Sequence, residues 1–180
     1  IDGSPKTAVV YRLLTRGIAY QGGIIAYILQ PGDPGYVEGE THGLIAATEV
    51  LANSGSGISW ISGGSTQTTP VPGGTDSALG AGPGNTDRII AQAEAAGNND
   101  LTSYAAGLAR DYKGGGYADW FLPSYYEAKK LTGIVTGGTW TSSESNSTGL
   151  YADIFIMDSD RSHTNSKEMN KYTVRPCRWF

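Results

Sequence analysis

The chain has 180 residues, a formal net charge of −4 from 13 basic and 17 acidic residues, and a single cysteine. This length fits one domain with one core, and one cysteine excludes a disulfide framework or a thiolate zinc cluster. Lysine and arginine form no run, so no nucleic-acid partner is expected, and no apolar stretch approaches the length of about eighteen residues that a membrane span needs. The 26 glycines and the low charged fraction of 17% are typical of a loop-rich secreted or cell-surface protein.

The first half of the chain predicts strands and one long loop. Residues 18–29, IAYQGGIIAYIL, place β-branched and aromatic residues on both sides of a Gly-Gly pair and predict a hairpin or a bulged strand. Two short apolar runs, HGLIAATEV at 42–50 and ISWIS at 58–62, predict buried strands. Residues 63–84 are almost wholly Gly, Ser, Thr, Pro and Gln, which predicts a long surface loop.

Three helices are predicted in the middle of the chain. The first follows from NTDRIIAQAEAAG, with Asn85 or Thr86 as the N-cap and Gly97 as the stop. The second lies in LTSYAAGLARDYKGGG and ends at the triple glycine. The third begins in LPSYYEAKKL, where Ser124 and Glu127 have the S-x-x-E spacing of a capping box.

Strand patterns return near the end of the chain. LYADIFIMD at 150–158 alternates with period two and predicts a largely buried strand that contains one acid, Asp153. The last nine residues, YTVRPCRWF, predict a strand that Pro176 confines to an edge or a bulge. Strands at both ends with helices between them predict an α+β fold in which the two ends of the chain meet in one sheet.

Three ordered blocks in the second half of the chain resemble a bacterial protein family. They are GGYADWFLPS at 115–124, WTSSE at 140–144 and VRPCRWF at 174–180. The earlier QGGIIAYILQPGDPGY and HGLIAAT are similar to the opening strands of the same family. Over about residues 18–180 the chain therefore resembles the C-terminal domain of bacterial collagen-like adhesins.

This resemblance implies a fold and a set of relatives. The fold would be C-type-lectin-like, with paired N- and C-terminal strands, two to three helices, and a second small sheet whose long loops present the ligand surface. The variable proteins that retroelements diversify and the formylglycine-generating enzymes use a similar fold. The chain departs from the family at Asp153, where relatives usually have Trp, and at TWTSS, where they commonly have YWSS.

No catalytic constellation stands out. Cys177, the one cysteine, lies in an apolar run, where a free cysteine is usually a small buried hydrophobe. His42 and His163 are far apart in sequence and have no zinc-protease spacing. The sequence therefore predicts a protein that is not an enzyme.

Calcium is the one cofactor that the sequence leaves open. The calcium-binding triplets of lectins do not occur, and neither does the spacing of an EF-hand loop. Oxygen ligands could still come from five neighbouring residues, Asp158, Ser159, Asp160, Asn165 and Glu168. The expectation is no cofactor, with calcium as the alternative.

Charges inside the three blocks predict a scaffold. A lone buried charge costs several kcal/mol, so charges within apolar blocks usually pair with each other. On this ground Asp119, Glu144, Arg175 and Arg178 are expected to hold the interior together.

The segment 145–171 is the predicted recognition surface. It mixes hydrogen-bond donors, acceptors and both charges with a nearby tyrosine, as recognition loops do. This mixture favours a neutral glycan or a protein over a polyanion, and an ordinary hairpin with a solvated tip is the alternative. The candidate ligand-binding residues are Asn146, Tyr151, Asp153, Asp158, Asp160, Arg161, His163, Asn165, Lys167 and Asn170.

The expected function is non-catalytic recognition outside the cell. Residues 18–180 would form a secreted or cell-surface adhesin or receptor domain, from a bacterium or phage, that binds a glycan or protein on another surface. Residues 1–17 would be an extension or a linker to a longer chain. Two alternatives remain: a retroelement-diversified receptor with 145–171 as its variable patch, and an oligomerisation domain that caps a fibre, for example as a homotrimer.

Overall fold

The computed structural model describes residues 13–51, 57–62, 64–145, 148–169 and 172–180. Within these ranges the chain forms seven strands and three α-helices, and the strands make two antiparallel sheets. Strands come first and last, and the helices lie between them in the sequence. The prediction of an α+β fold is therefore confirmed.

The first sheet joins the two ends of the chain. It contains β1 (Ala19–Tyr20), β2 (Gly23–Ile28), β3 (Gly43–Ala47) and β7 (Cys177–Trp179), in that order across the sheet. β7 pairs antiparallel with β3 and places Trp179 opposite Leu44. This pairing confirms that the chain ends meet in one sheet, and β7 begins directly after Pro176, at the end of the strand order.

A tight turn connects β1 to β2. Its central residues, Gln21 and Gly22, have φ of 46° and 87°, as a type I′ hairpin turn requires. A Cβ atom on Gly22 would lie 2.5 Å from the Cα of Gly115, so the turn packs directly on the backbone of the triple glycine. The predicted hairpin is correct, although its turn is centred one residue earlier than the Gly-Gly pair.

The folded unit begins before residue 18. The N–H of Gly17 donates to the carbonyl of Ile25 at 2.8 Å, and the Nε of Arg16 donates to the carbonyl of Ala26 at 2.9 Å. Arg16 and Gly17, which the sequence assigned to the extension, are therefore bound to β2.

The three helices are α1 (Gly82–Ala95), α2 (Ala105–Asp111) and α3 (Tyr125–Lys130). α1 begins three residues before the predicted N-cap Asn85, which is buried inside the helix together with Thr86. The reason is that Pro83 suits the first turn and the carboxylate of Glu127 accepts the N–H of Gly82 at 3.3 Å, which replaces a local cap.

Two other helix signals are confirmed. Gly97 follows α1 with a φ of 86°, which is the left-handed conformation expected of a stop glycine. Ser124 caps α3, and its N–H donates to Glu127 at 2.7 Å while its hydroxyl accepts from the N–H of Glu127 at 3.4 Å. The capping box therefore forms as the spacing predicts.

The second sheet contains β4 (Gly138–Glu144), β5 (Tyr151–Ile156) and β6 (Arg161–Ser166), in that order. β6 lies in the predicted recognition segment, for which an ordinary hairpin was the alternative, and among the described strands it pairs with β5 alone. Edge strands tolerate polar side chains because they are solvated, which explains why RSHTNS forms a strand without an apolar pattern.

One predicted strand is absent from both sheets. Residues 58–62 make only an isolated bridge, from Ile58 to Tyr172. Their apolar side chains still enter the core, because Trp60 and Ile61 are fully buried. The N–H of Trp60 donates to the carbonyl of Lys167 at 3.0 Å instead of joining a ladder.

The long loop before α1 is held on the second sheet. It contains one short 3-10 helix, Gly64–Thr68, and then runs irregularly to α1. The N–H of Val71 donates to the carboxylate of Glu144 at 3.0 Å, and Thr75 accepts the N–H of Glu144 at 2.7 Å. The predicted loop therefore ends three residues earlier than expected, at the start of α1, and it is tied to β4 at Val71 and Thr75.

The core has three clusters among the described residues, and two of them lie on opposite sides of the second sheet. Trp60, Trp140 and Ile154 pack with residues of α1 and α2 on one side. On the other side, Phe155 and Cys177 pack with residues of α3 and of the first sheet. The second sheet thus lies between helices and the first sheet, and its polar outer strand is left at the surface.

Candidate functional site

The predicted recognition residues lie on the β5–β6 hairpin and its turn. Tyr151 and Asp153 are on β5, Asp158 and Asp160 are in the turn, Arg161, His163 and Asn165 are on β6, and Lys167 follows β6 directly. Residues 161–164 are all exposed. Asn146 and Asn170 lie outside the described residues.

The hairpin separates these residues onto two faces. Asp153 lies opposite Thr164, and Tyr151 lies opposite Ser166. Because side chains alternate along a strand, Arg161, His163 and Asn165 point to the face opposite that of Tyr151 and Asp153. The predicted residues therefore do not form one patch.

The structure corrects the prediction that Lys167 belongs to the recognition surface, because Lys167 is not at the surface. Its side chain is 0% exposed, and its Nζ donates to Glu144 at 2.5 Å and to the carbonyl of Thr69 at 3.1 Å. The same nitrogen lies 4.6 Å from the ring centroid of Trp60. Burial lowers the pKa of Lys167, and the carboxylate of Glu144 opposes that shift. The paired carboxylate is what allows this lysine to lie inside the fold.

The candidate calcium ligands are not brought together. Asp158 accepts the N–H of Gly137 at 2.9 Å, and Asp160 accepts the hydroxyl of Thr132 at 3.2 Å. Asn165 lies at the other end of β6 and donates to the hydroxyl of Tyr172. In the part of the chain that the structure describes, no three His, Cys, Asp or Glu side chains are grouped as a metal ligand set.

The charges predicted as scaffold are held in three different ways. Arg178 forms the expected ion pair with Asp119, but the Asp119 side chain is exposed and does not lie in the interior. Glu144 pairs with Lys167 instead of an arginine. Arg175 donates to three backbone carbonyls, those of Ala47, Thr48 and Thr136, at 2.9 to 3.2 Å.

A groove of about 590 Å³ lies between the end of α3, strand β2 and the β5–β6 turn. Its volume is in the range of small-ligand sites. Its lining combines three cations, two tyrosines, one acid and one hydroxyl: Arg16, Lys129, Lys130, Tyr27, Tyr126, Asp160 and Thr132. We call this the α3 groove.

The cations of the α3 groove have no acidic partner among the described residues. Lys129 and Lys130 come from the last turn of α3, and neither makes a salt bridge there. The Nζ of Lys130 lies 3.9 Å from the ring centroid of Tyr27. Arg16 donates to the backbone carbonyls of Ala26 and Thr132, which fixes its guanidinium without neutralising it.

The two tyrosines of the groove differ in their contacts and exposure. The hydroxyl of Tyr27 donates to Asp33 at 2.7 Å, and burial together with Asp33 raises the pKa of Tyr27 to about 12. Its ring is therefore fixed under Lys130. Tyr126 is 50% exposed and packs edge-to-face on Tyr125, so one large aromatic surface faces solvent.

Sequence reasoning missed this groove, with Asp160 as its one predicted member. A search for basic runs finds nothing, because Arg16 and Lys130 are 114 residues apart in the chain. The available signal was the helix YYEAKK, which places an aromatic pair and a lysine pair on one short element.

Comparisons with known proteins do not identify the chain, since no protein-family model matches it and no curated protein gives a significant match. Within the described ranges, none of the helices has the length and apolar character to cross a membrane.

Proposed function

We propose that this chain is a non-catalytic ligand-binding domain of an extracellular or cell-surface adhesin or receptor, and that its α3 groove binds an acidic glycan. The observation that carries the proposal is the convergence of Arg16, Lys129 and Lys130 on one groove, where neither lysine has an ion-pair partner among the described residues. Such cations favour a ligand that brings its own negative charge.

The aromatic residues support a sugar as the rest of the ligand. Tyr126 offers a half-exposed ring at the groove, and a ring can pack against the apolar face of a pyranose. Thr132 and Asp160 add a hydroxyl and a carboxylate, which can bond the hydroxyl groups of a sugar. Charge, ring and hydrogen-bonding groups together suit an acidic saccharide better than an inorganic ion.

This ligand differs from the one that the segment 145–171 predicts. The mixed charge of that segment favours a neutral glycan or a protein. The groove takes only Asp160 from the segment and draws its cations from two distant parts of the chain. An acidic ligand is therefore the better proposal.

A C-type-lectin-like fold is part of the proposal. It is supported by the pairing of β3 with β7, which joins the chain ends, and by the separate three-stranded sheet. Binding is proposed to need no calcium, because the groove supplies its own cations.

A matched pair of ligands tests the proposal. The first is a hexasaccharide that alternates glucuronate with N-acetylglucosamine, and the second is the same hexasaccharide with its carboxylates reduced to alcohols. We expect calorimetry to detect binding of the acidic hexasaccharide and no binding of the reduced one. The result should be the same with and without a chelator. Loss of two charge-assisted contacts in Lys129→Gln/Lys130→Gln should weaken it by about tenfold or more.

The control variant is Arg88→Gln/Lys113→Gln, which removes two exposed cations that do not line the groove. It changes the net charge equally and should leave binding intact. Equal weakening by both double variants would reduce the effect to overall charge and contradict the proposed site. Equal binding of both hexasaccharides would contradict the proposed ligand.

A further inference from the structure

One face of the second sheet carries an acid that has no partner in the part of the chain that the structure describes. The face is formed by alternate residues of β5 and their partners on β6, and we call it the Tyr151 face: Tyr151, Asp153, Phe155, Ser162, Thr164 and Ser166. α3 covers its Phe155 end, where the Tyr125 ring lies 5.8 Å from that of Phe155. The other end is open, since Tyr151 is 41% exposed.

Asp153 differs from the other enclosed acids of the protein. Glu144 is paired with Lys167, and Glu127 accepts three backbone N–H groups. Asp153 is half-buried and has neither a hydrogen bond nor an ion pair to its carboxylate within the described ranges. Burial alone raises the pKa of Asp153 to about 6.

An unpaired and partly desolvated carboxylate is costly, and such groups are enriched at functional sites. Its surroundings indicate which ligand would relieve that cost. Thr164 lies directly across from Asp153 on β6. Tyr151 precedes Asp153 by two positions on β5 and lies on the same face, about 7 Å away along the strand. Hydroxyl oxygens accept hydrogen bonds from a cation, and a tyrosine ring packs against its alkyl stem.

We propose that the Tyr151 face is a docking site for a lysine or arginine side chain of a partner protein. Asp153 pairs with its charge, Thr164 accepts a further hydrogen bond, and Tyr151 packs along its stem. This site is independent of the α3 groove, and it binds the opposite charge.

A protein side chain fits this site better than a free amine. A single ion pair on an open sheet face is screened by water and contributes little binding by itself. When a partner protein presents the side chain, neighbouring residues of that partner also contact the rest of the Tyr151 face. The isolated site is therefore expected to bind a short peptide with millimolar affinity.

The test uses three capped pentapeptides of sequence Gly-Ser-X-Ser-Gly, in which X is lysine, arginine or norleucine. Norleucine keeps the alkyl stem of lysine and removes its charge. We expect the lysine and arginine peptides to shift the amide resonances of Tyr151, Asp153 and Thr164 in ¹⁵N-labelled protein. The norleucine peptide should shift none of them.

Three variants locate the effect. Asp153→Asn should abolish the shifts, while Glu168→Gln, which removes an exposed acid outside this face, should keep them. Lys129→Gln/Lys130→Gln should also keep them, which separates this site from the α3 groove. The peptide titration of the unmodified protein does not depend on the folding of any variant.

Several results would overturn the proposal. They are the absence of shifts with the lysine peptide, equal shifts with the norleucine peptide, and unchanged binding in Asp153→Asn. Failure of the acidic glycan to bind the groove would leave these measurements unaffected.

Discussion

Two groups of lysines in this molecule differ in what surrounds their charges. Lys167 is fully buried and meets a carboxylate, a carbonyl and the face of a tryptophan ring. At the α3 groove Lys130 lies over a tyrosine ring, and neither Lys130 nor its neighbour Lys129 forms an ion pair with an acid that the structure describes. The same residue type is therefore internal scaffold in one region and a candidate ligand contact in the other.

The difference shows that polarity of the local sequence does not indicate which charge is available to a ligand. Lys167 lies in the most polar segment of the chain, and Lys130 lies in a short helix next to an apolar block. What separates them is whether an acid from another element forms an ion pair with the lysine in the part of the chain that the structure describes. Glu144 provides that acid for Lys167, from a strand 23 residues earlier.

The largest effect is expected from Lys167→Met. This change keeps the volume of the side chain but leaves Glu144 buried without its cation, which typically costs about 3 to 5 kcal/mol. It also removes the bond to Thr69 that holds the long loop on the second sheet. Urea unfolding at pH 7 should show a loss of this size in the free energy of unfolding.

The double variant Lys167→Met/Glu144→Gln serves as the control, because it removes both charges. It should recover part of the lost stability, since replacing a buried pair by uncharged groups is far cheaper than breaking it. A loss below about 1 kcal/mol in Lys167→Met would mean that Glu144 is solvated, and the distinction between the two lysine groups would fail.

The second largest effect on stability is expected from the buried acid Glu127, which has no cation as a partner among the described residues. Burial raises the pKa of Glu127 from 4.5 to about 7, although three backbone N–H donors oppose the shift. A group whose pKa is raised in the folded state stabilises the fold fully below its unfolded pKa and loses that contribution as the pH rises through its folded pKa. Relative to Glu127→Gln, the unmodified protein should therefore lose up to about 3 kcal/mol of unfolding free energy between pH 4.5 and pH 8.

Denaturant unfolding of both proteins across this pH range measures the difference. Glu94→Gln, at an exposed acid of α1, is the matched control and should run parallel to the unmodified protein. If Glu127→Gln also ran parallel, the three N–H donors would be strong enough to keep Glu127 ionised despite its burial.

Local signals predicted the parts of the fold whose partners are near in sequence. The capping box of α3 needs only Ser124 and Glu127, three residues apart, and it forms as expected. The stop at Gly97 needs only a residue that tolerates positive φ. The meeting of the chain ends followed from strand patterns at both ends, because such strands must pair with something.

Distant partners explain what the sequence did not predict. α1 begins at Gly82 because its N–H finds Glu127, 45 residues later in the chain. Residues 161–166 form the second strand of a hairpin that the sequence offered only as an alternative, because β5 provides a ladder to a segment with no apolar pattern of its own. At the candidate site, Asp160 was predicted, while the groove cations were missed because they converge only in the folded chain.

The smallest effects on stability are expected from the two groove lysines, of which Lys130→Gln has the larger. The ammonium group is partly solvated, and its contact with the Tyr27 ring, at 3.9 Å, is worth about 0.5 to 1 kcal/mol at such a site. Thermal unfolding should therefore change little, whereas binding of the acidic hexasaccharide should weaken several-fold. Lys129→Gln, which has no ring contact of this kind, should change stability even less and affect binding similarly. If Lys130→Gln destabilised the fold as much as Lys167→Met, the groove lysine would be a structural residue as well, and the contrast between the two regions would be lost.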